Sequence, residues 1–194
     1  SYINNTWTKL GNDIDGEAAG DEFGFSVSLS SDGTILAIGD RYNDGAGSNA
    51  GHVRVYSYNN NTWVQQGSDI DGEAIGDESG YYISLSGDGT IIAIGAPNND
   101  GVNGNGSGHV RLYDYSNSSW TQLGTDIDGE AAGDQAISAN YLSGTSISLS
   151  DGGILAIGAK KNDGGGSNSG HVRVFSWTSP GPVSYTHLTL PTTD

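Results

Sequence analysis

An all-β fold is predicted for this chain: a β-propeller fragment of about three four-stranded antiparallel blades, in an open or incomplete ring. Three observations predict it. A block of about 56 residues repeats, since Trp7, Trp63 and Trp120 lie 56 and 57 apart, as do Asp13, Asp69 and Asp126, each opening the string Asp-Ile-Asp-Gly-Glu-Ala. Each block holds four short runs of strand-forming residues separated by turn residues. No stretch shows helical periodicity, and 32 glycines in 194 residues are too many for long helices. A period near 56 suits a propeller blade and is too long for leucine-rich or ankyrin repeats.

The elements follow in order within copy one. Thr6-Trp7-Thr8 reads as the last strand of a blade whose earlier strands lie before Ser1. Phe25 to Leu29 alternates apolar and polar residues, the pattern of a half-buried strand. Ser31-Asp32-Gly33-Thr34 is a tight turn, with Asp-Gly supplying the positive φ values of a hairpin. Ile35 to Ile38 is a continuous apolar run, expected to be an inner strand buried on both faces, as are Ile91 to Ile94 and Ile154 to Ile157. A polar loop from Asn43 to Gly51 leads into His52–Tyr58, the third strand, and Asn59-Asn60-Asn61 turns the chain into Thr62–Gln65, the fourth.

The repeats run about 6–62, 63–119 and 120–177, inside a propeller fragment of residues 1–182. Gly-His-Val-Arg recurs at Gly51, Gly108 and Gly170, 57 and 62 apart, and the longer last interval places a net insertion within Gln135 to Thr145. Three blades do not close a ring of ordinary geometry, so further blades are expected on both sides. Ser179-Pro-Gly-Pro182 breaks the pattern where the outer strand of the third blade should begin. Residues 183–194 match nothing in the repeat. They resemble the translation of a sequencing adapter and are expected to be a non-native tail that adds no strand.

Composition excludes several function classes. Seven Lys and Arg stand against 23 Asp and Glu, a formal net charge of −16. Such a polyanion is repelled by nucleic acid and anionic membranes. The chain has no Cys, which removes disulfides, thiolate metal sites and thiol catalysis. No apolar run approaches the length of a membrane-spanning helix. The absence of Met fits an internal or processed piece.

The carboxylates concentrate in three loops: Asp13, Asp15, Glu17 and Asp21; Asp69, Asp71, Glu73 and Asp77; Asp126, Asp128, Glu130 and Asp134. Positions one, three, five and nine match the ligand spacing of acidic calcium loops, because alternate residues of a curved loop can all point at one hard cation. Gly16 and Gly20 fall at positions four and eight rather than six. That placement departs from the usual loop, so calcium is a candidate cofactor on the carboxylate spacing alone. The competing reading is an acidic inter-blade linker, with Glu17 and Asp21 bonded to amides or to the repeated Arg. Arg54, Arg111 and Arg173, each two residues after a His (His52, His109, His171), read first as ion-pair partners of those loops and second as ligand anchors. Trp7, Trp63 and Trp120 read as packing residues, with sugar stacking as the alternative. Asn4, Asn60 and Asn117 precede the Trp in Asn-x-Ser/Thr, where turn chemistry accounts for them.

Phe23-Gly24 opens the first strand of copy one, Gly95-Ala96-Pro97 ends the second strand of copy two, and a Gly-x-Val-x-Val/Leu-Tyr strand follows. In order and spacing these signatures resemble FG-GAP repeats, the blades of integrin-α-type propellers and of bacterial surface proteins. Copy one departs with Gly39-Asp40-Arg41, copy two with Ser79-Gly80, and copy three with Gly158-Ala159-Lys160. The resemblance would imply a calcium loop between the first and second strands. That place holds one carboxylate per copy, Asp32, Asp88 or Asp151, which is too few for a calcium cage.

The resemblance implies a non-enzymatic extracellular or cell-surface module for adhesion or protein interaction, with a protein or glycan ligand and neither nucleic-acid binding nor membrane insertion. No catalytic residue stands out. Catalysis needs one geometry at one place, whereas nearly every candidate here occurs three times. The alternatives are a glycan-binding lectin propeller, or the accessory propeller of an enzyme whose catalytic domain lies outside this chain.

Overall fold

The fold is taken from a computed structural model of the chain. It describes residues 2–3, 5–131, 147–177 and 184–185. A hairpin of β1 (Tyr2–Ile3) and β2 (Thr6–Trp7) precedes three antiparallel blades. Blade one is β3 (Ser26–Leu29), β4 (Ile35–Asp40), β5 (His52–Asn59) and β6 (Thr62–Gln65), with β7 (Ile70–Asp71) also paired to β5. Blade two is β8 (Tyr82–Leu85), β9 (Ile91–Ala96), β10 (His109–Ser116) and β11 (Ser119–Asp128). Blade three is β12 (Ile147–Leu149), β13 (Ile154–Ala159), β14 (His171–Ser176) and β15 (Ser184–Tyr185). The described residues contain no helix, and the sheets do not close into a ring.

Local chemistry sets each hairpin. Asn60 and Asn61 adopt φ of 48° and 63°, and Asn117 and Ser118 adopt 51° and 63°, the left-handed pair that a two-residue hairpin needs. The register repeats accordingly: Tyr2 faces Trp7, Tyr58 faces Trp63 and Tyr115 faces Trp120. At the inner turns the Asp32 carboxylate accepts from the Thr34 amide at 2.9 Å and from the Ser30 hydroxyl at 2.7 Å, and Asp88 repeats this with Thr90 and Ser86. These bonds hold both carboxyls below their ordinary range, with the Thr34 amide the largest influence on Asp32 and the Ser86 hydroxyl on Asp88. Asp32 and Asp88 are thus turn formers.

The core lies between blades. Ala37, Val53, Val55 and Ile70 of blade one pack on Ile83, Leu85, Ile92, Ile94 and Tyr113 of blade two. Ala93, Val110 and Leu112 of blade two pack on Ile147, Leu149, Leu155, Ile157 and Phe175 of blade three. The alternation of β3 has a different meaning from a strand with one wet face. Its serines face blade two: Ser28 Oγ accepts from the Leu85 amide at 2.9 Å, and Ser84 Oγ accepts from Leu149 at 3.0 Å one blade later. The equivalents of Ile83 and Leu85, Val27 and Leu29, are 64% and 57% exposed because no described blade covers that face.

Two expectations need correction. The apolar runs are interior strands, but they are not buried throughout: Ile35 and Ile91 are half-buried and Ile154 is exposed. The tail does contribute a strand, since Ser184 and Tyr185 pair with Ser176 and Phe175. The edge of β14 offers unpaired backbone groups where the outer strand is missing, and a short extended segment satisfies them whatever its sequence. The insertion within Gln135 to Thr145 lies outside the described residues.

Trp63 and Trp120 each hold the segment that leads into their own blade from the one before. Trp63 Nε1 donates to the Leu10 carbonyl at 3.1 Å, and Trp120 Nε1 donates to the Gln66 carbonyl at 2.8 Å. A Cβ at Gly67 would meet Trp120 Cδ1 at 2.9 Å, so glycine there lets the ring lie on the backbone. Removal of the ring by Trp120→Ala should cost about 3 kcal/mol, and Trp120→Phe, which loses chiefly the N–H bond, about 1 kcal/mol. Urea denaturation of the two variants checks this, and equal losses would show that ring packing contributes little.

Candidate functional site

The Gly-His-Val-Arg strand and the acidic loop meet in every copy. Gly51 has φ of +74° and its carbonyl accepts from the Gly72 amide at 2.8 Å, which ties β5 to the loop leaving blade one. His52 and Arg54 then point to one face of β5, and Val53 and Val55 to the core on the other. Arg54 donates to the Asp15 carbonyl at 3.3 Å and lies 3.4 Å from a Glu17 carboxylate oxygen. Arg111 donates to the Asp71 carbonyl at 3.1 Å and lies 3.1 Å from Glu73 Oε1. Arg173 donates to the Asp128 carbonyl at 2.7 Å. The repeated arginines therefore bind the acidic loops.

The remaining loop carboxylates have separate destinations. Asp13 pairs with Lys9 at 3.2 Å in solvent. Asp21 and Asp77 are buried and accept from Asn43 at 3.1 Å and Asn99 at 2.9 Å. Burial pushes Asp77 above the ordinary carboxylate range. Asp69 and Asp126 each accept from a glutamine four residues earlier, Gln65 and Gln122, at 2.6 Å. Burial also raises Asp128. Glu130 accepts from Asn162 at 3.2 Å. Asp134 lies outside the described residues. No three carboxylates of one loop come together among the described residues. The asparagine partners went unread in the sequence, although Asn43, Asn99 and Asn162 each open an Asn-Asp-Gly that recurs with the repeat.

What the fold does bring together is one His with carboxylates from two successive loops. Glu17, His52 and Asp69 offer ligand atoms all within 4.8 Å of one another, as do Glu73, His109 and Asp126. His52 and His109 are each 1% exposed. Burial pushes both imidazoles down, His109 to about 4, so both are neutral at pH 7. Copy one adds Asp40, fully buried opposite His52 in the β4–β5 ladder, where the other blades carry Ala96 and Ala159. Its Oδ2 is 3.4 Å from His52 Nε2, and neither carboxylate oxygen has a hydrogen-bond partner. Burial, with the Asp21 charge next, raises Asp40 to about 7.

Comparison with known families then bears on the blade unit. Residues 14–56 match the family described as FG-GAP repeat. Over those residues the chain is similar to an FG-GAP repeat. The matched FG-GAP segment begins in the first acidic loop and ends on β5, so it takes in the loop, the inner hairpin and the Gly-His-Val-Arg strand of blade one. Blades two and three repeat the same elements in the same order. Among 32 matching chains of solved structure is the crystal structure of a candidate 6-phosphogluconolactonase from Bacteroides uniformis, with a TM-score of 0.50 and 14% identity over 82% of this chain. At that identity the likeness is one of fold. The chain spans 39% of the length of that structure. No curated protein matches it.

Proposed function

We propose that this chain is a non-enzymatic FG-GAP-type propeller module of an extracellular or cell-surface protein, serving adhesion or protein interaction. One observation carries the reading. The polar constellations recur from blade to blade: an Arg bonded to an acidic-loop carbonyl in all three, and the Arg–Glu pair and the His cluster in blades one and two. A scaffold built by repetition gives this pattern, whereas a catalytic centre is a single asymmetric arrangement. The net charge of −16 suits solubility in a salty exterior.

Lactonase activity on a phosphorylated sugar, the activity named for the Bacteroides protein, would need cationic anchors for the phosphate. Three of the seven basic residues, Arg54, Arg111 and Arg173, are engaged with loop carbonyls instead. The lectin alternative is less favoured because the rings of Trp63 and Trp120 already pack on Tyr58 and Tyr115 and lie against the backbone at Gly11 and Gly67.

Display of the chain on a non-adherent bacterium tests the proposal. Attachment to immobilised extracellular-matrix proteins should exceed that of the empty display strain. Unchanged attachment would sink it, and glycan-array binding abolished by Trp63→Ala would select the lectin.

A further inference from the structure

We propose that each of the first two blades holds a zinc-class divalent cation, in one blade between Glu73, His109 and Asp126 and in the other between Glu17, His52 and Asp69. The inference does not depend on the adhesive role. It starts from an orphaned group: His109 is 1% exposed, yet neither of its ring nitrogens has a hydrogen-bond partner. A buried polar atom without a partner is costly and needs an explanation. Its Nδ1 points between Asp126 Oδ2 at 3.6 Å and Glu73 Oε2 at 3.8 Å. These separations exceed a hydrogen bond. They approach the edge of a tetrahedron of metal ligands, about 3.4 Å for metal–ligand bonds near 2.1 Å.

The surroundings orient the ligand atoms. Arg111 holds Glu73 Oε1 at 3.1 Å and Gln122 holds Asp126 Oδ1 at 2.6 Å, so the free oxygen of each carboxylate is the one turned to His109. Outer-shell bonds of this kind fix ligand orientation in metal sites. The imidazole is neutral at pH 7 and has a lone pair to give. Glu73 and Asp126 remain part-exposed, which leaves an entry path and room for water as a fourth ligand.

Copy one repeats the set with Gln65 on Asp69 and Arg54 on Glu17, and adds Asp40 behind His52 Nε2 at 3.4 Å. A carboxylate behind the second ring nitrogen is the common backing of a metal-bound His. Copy three has Glu130 3.6 Å from His171 Nδ1 but no third ligand among the described residues. Imidazole with carboxylates selects zinc-class metals over calcium, which takes oxygen ligands.

The test is calorimetric titration of the EDTA-dialysed full chain with zinc at pH 7.5 in physiological salt. Two equivalents should bind saturably, and a calcium excess of about hundredfold should not displace them. Asp126→Asn and Asp69→Asn, both at part-exposed positions, should each reduce the stoichiometry to one, with unchanged circular dichroism. The visible bands of bound cobalt(II) should weaken in parallel. No saturable zinc binding, wild-type stoichiometry in both variants, or displacement by that calcium excess would overturn the proposal.

Discussion

Replacing Asp40 with alanine should stabilise the metal-free chain at pH 8 by about 2 kcal/mol. Asp40 is a fully buried carboxyl whose oxygens have no hydrogen-bond partner, and the two other blades carry alanine at this position. Burial raises it from an ordinary value of 3.8 to about 7. Between those values the folded state binds a proton that the unfolded state has released. The contribution of Asp40 is therefore complete below about pH 4, falls as pH rises toward 7 and is lost above it. His52 and His109, both pushed down by burial, give slopes of the opposite sign, so wild type must be compared with Asp40→Ala at each pH. Urea denaturation in EDTA at pH 5 and pH 8 should show a gain for the variant that is larger at pH 8. Equal loss at both values would show that Asp40 is satisfied in the fold.

The opposite sign and a larger effect are expected for Gly51→Ala, about 4 kcal/mol of destabilisation. Gly51 begins the Gly-His-Val-Arg strand with φ of +74°, and a Cβ there would meet the Ser79 carbonyl, the Ser79 nitrogen at 2.7 Å and the Arg41 carbonyl at 2.9 Å. All three are backbone, and Gly51 also bridges to Ser79 in the first turn of the next blade, so neither side can give way alone. Gly33→Ala is the control. It has a similar φ of +71° but open space around the added carbon, and should cost about 1 kcal/mol. Thermal melts that show equal losses would mean that backbone conformation, and not the approach of two blades, accounts for the glycine.

The blades were legible in the sequence because local chemistry encodes them. Asp-Gly and Asn-Asn turns, apolar runs and the Trp period place β4, β5 and β6 within two residues of their observed ends. What faced what was less legible. Ser28 looked like the wet side of a strand and is a bond acceptor between blades, because a propeller strand has a neighbour on both faces. The acidic loops were visible as a spacing within one loop. The fold instead brings Glu73 and Asp126, 53 positions apart, to His109, since β11 runs back along β10 to place Asp128 opposite His109. No local spacing carries that pairing. Asp40 was visible as a departure from the repeat, but its burial follows only from the ladder position it shares with His52.

Native-state hydrogen exchange tests the central claim, that the chain is an array of blades whose cores lie between them. Blade two alone is packed on both faces among the described residues, through Ile92 and Ile94 on one side and Ala93 and Val110 on the other. The amides of β9 and β10 should be the last to exchange, and those of β3, beside the exposed Val27 and Leu29, among the first of the inner strands. Slow exchange in β3 with fast exchange in β9 and β10 would contradict the account, because the protected core would then lie somewhere other than between the blades.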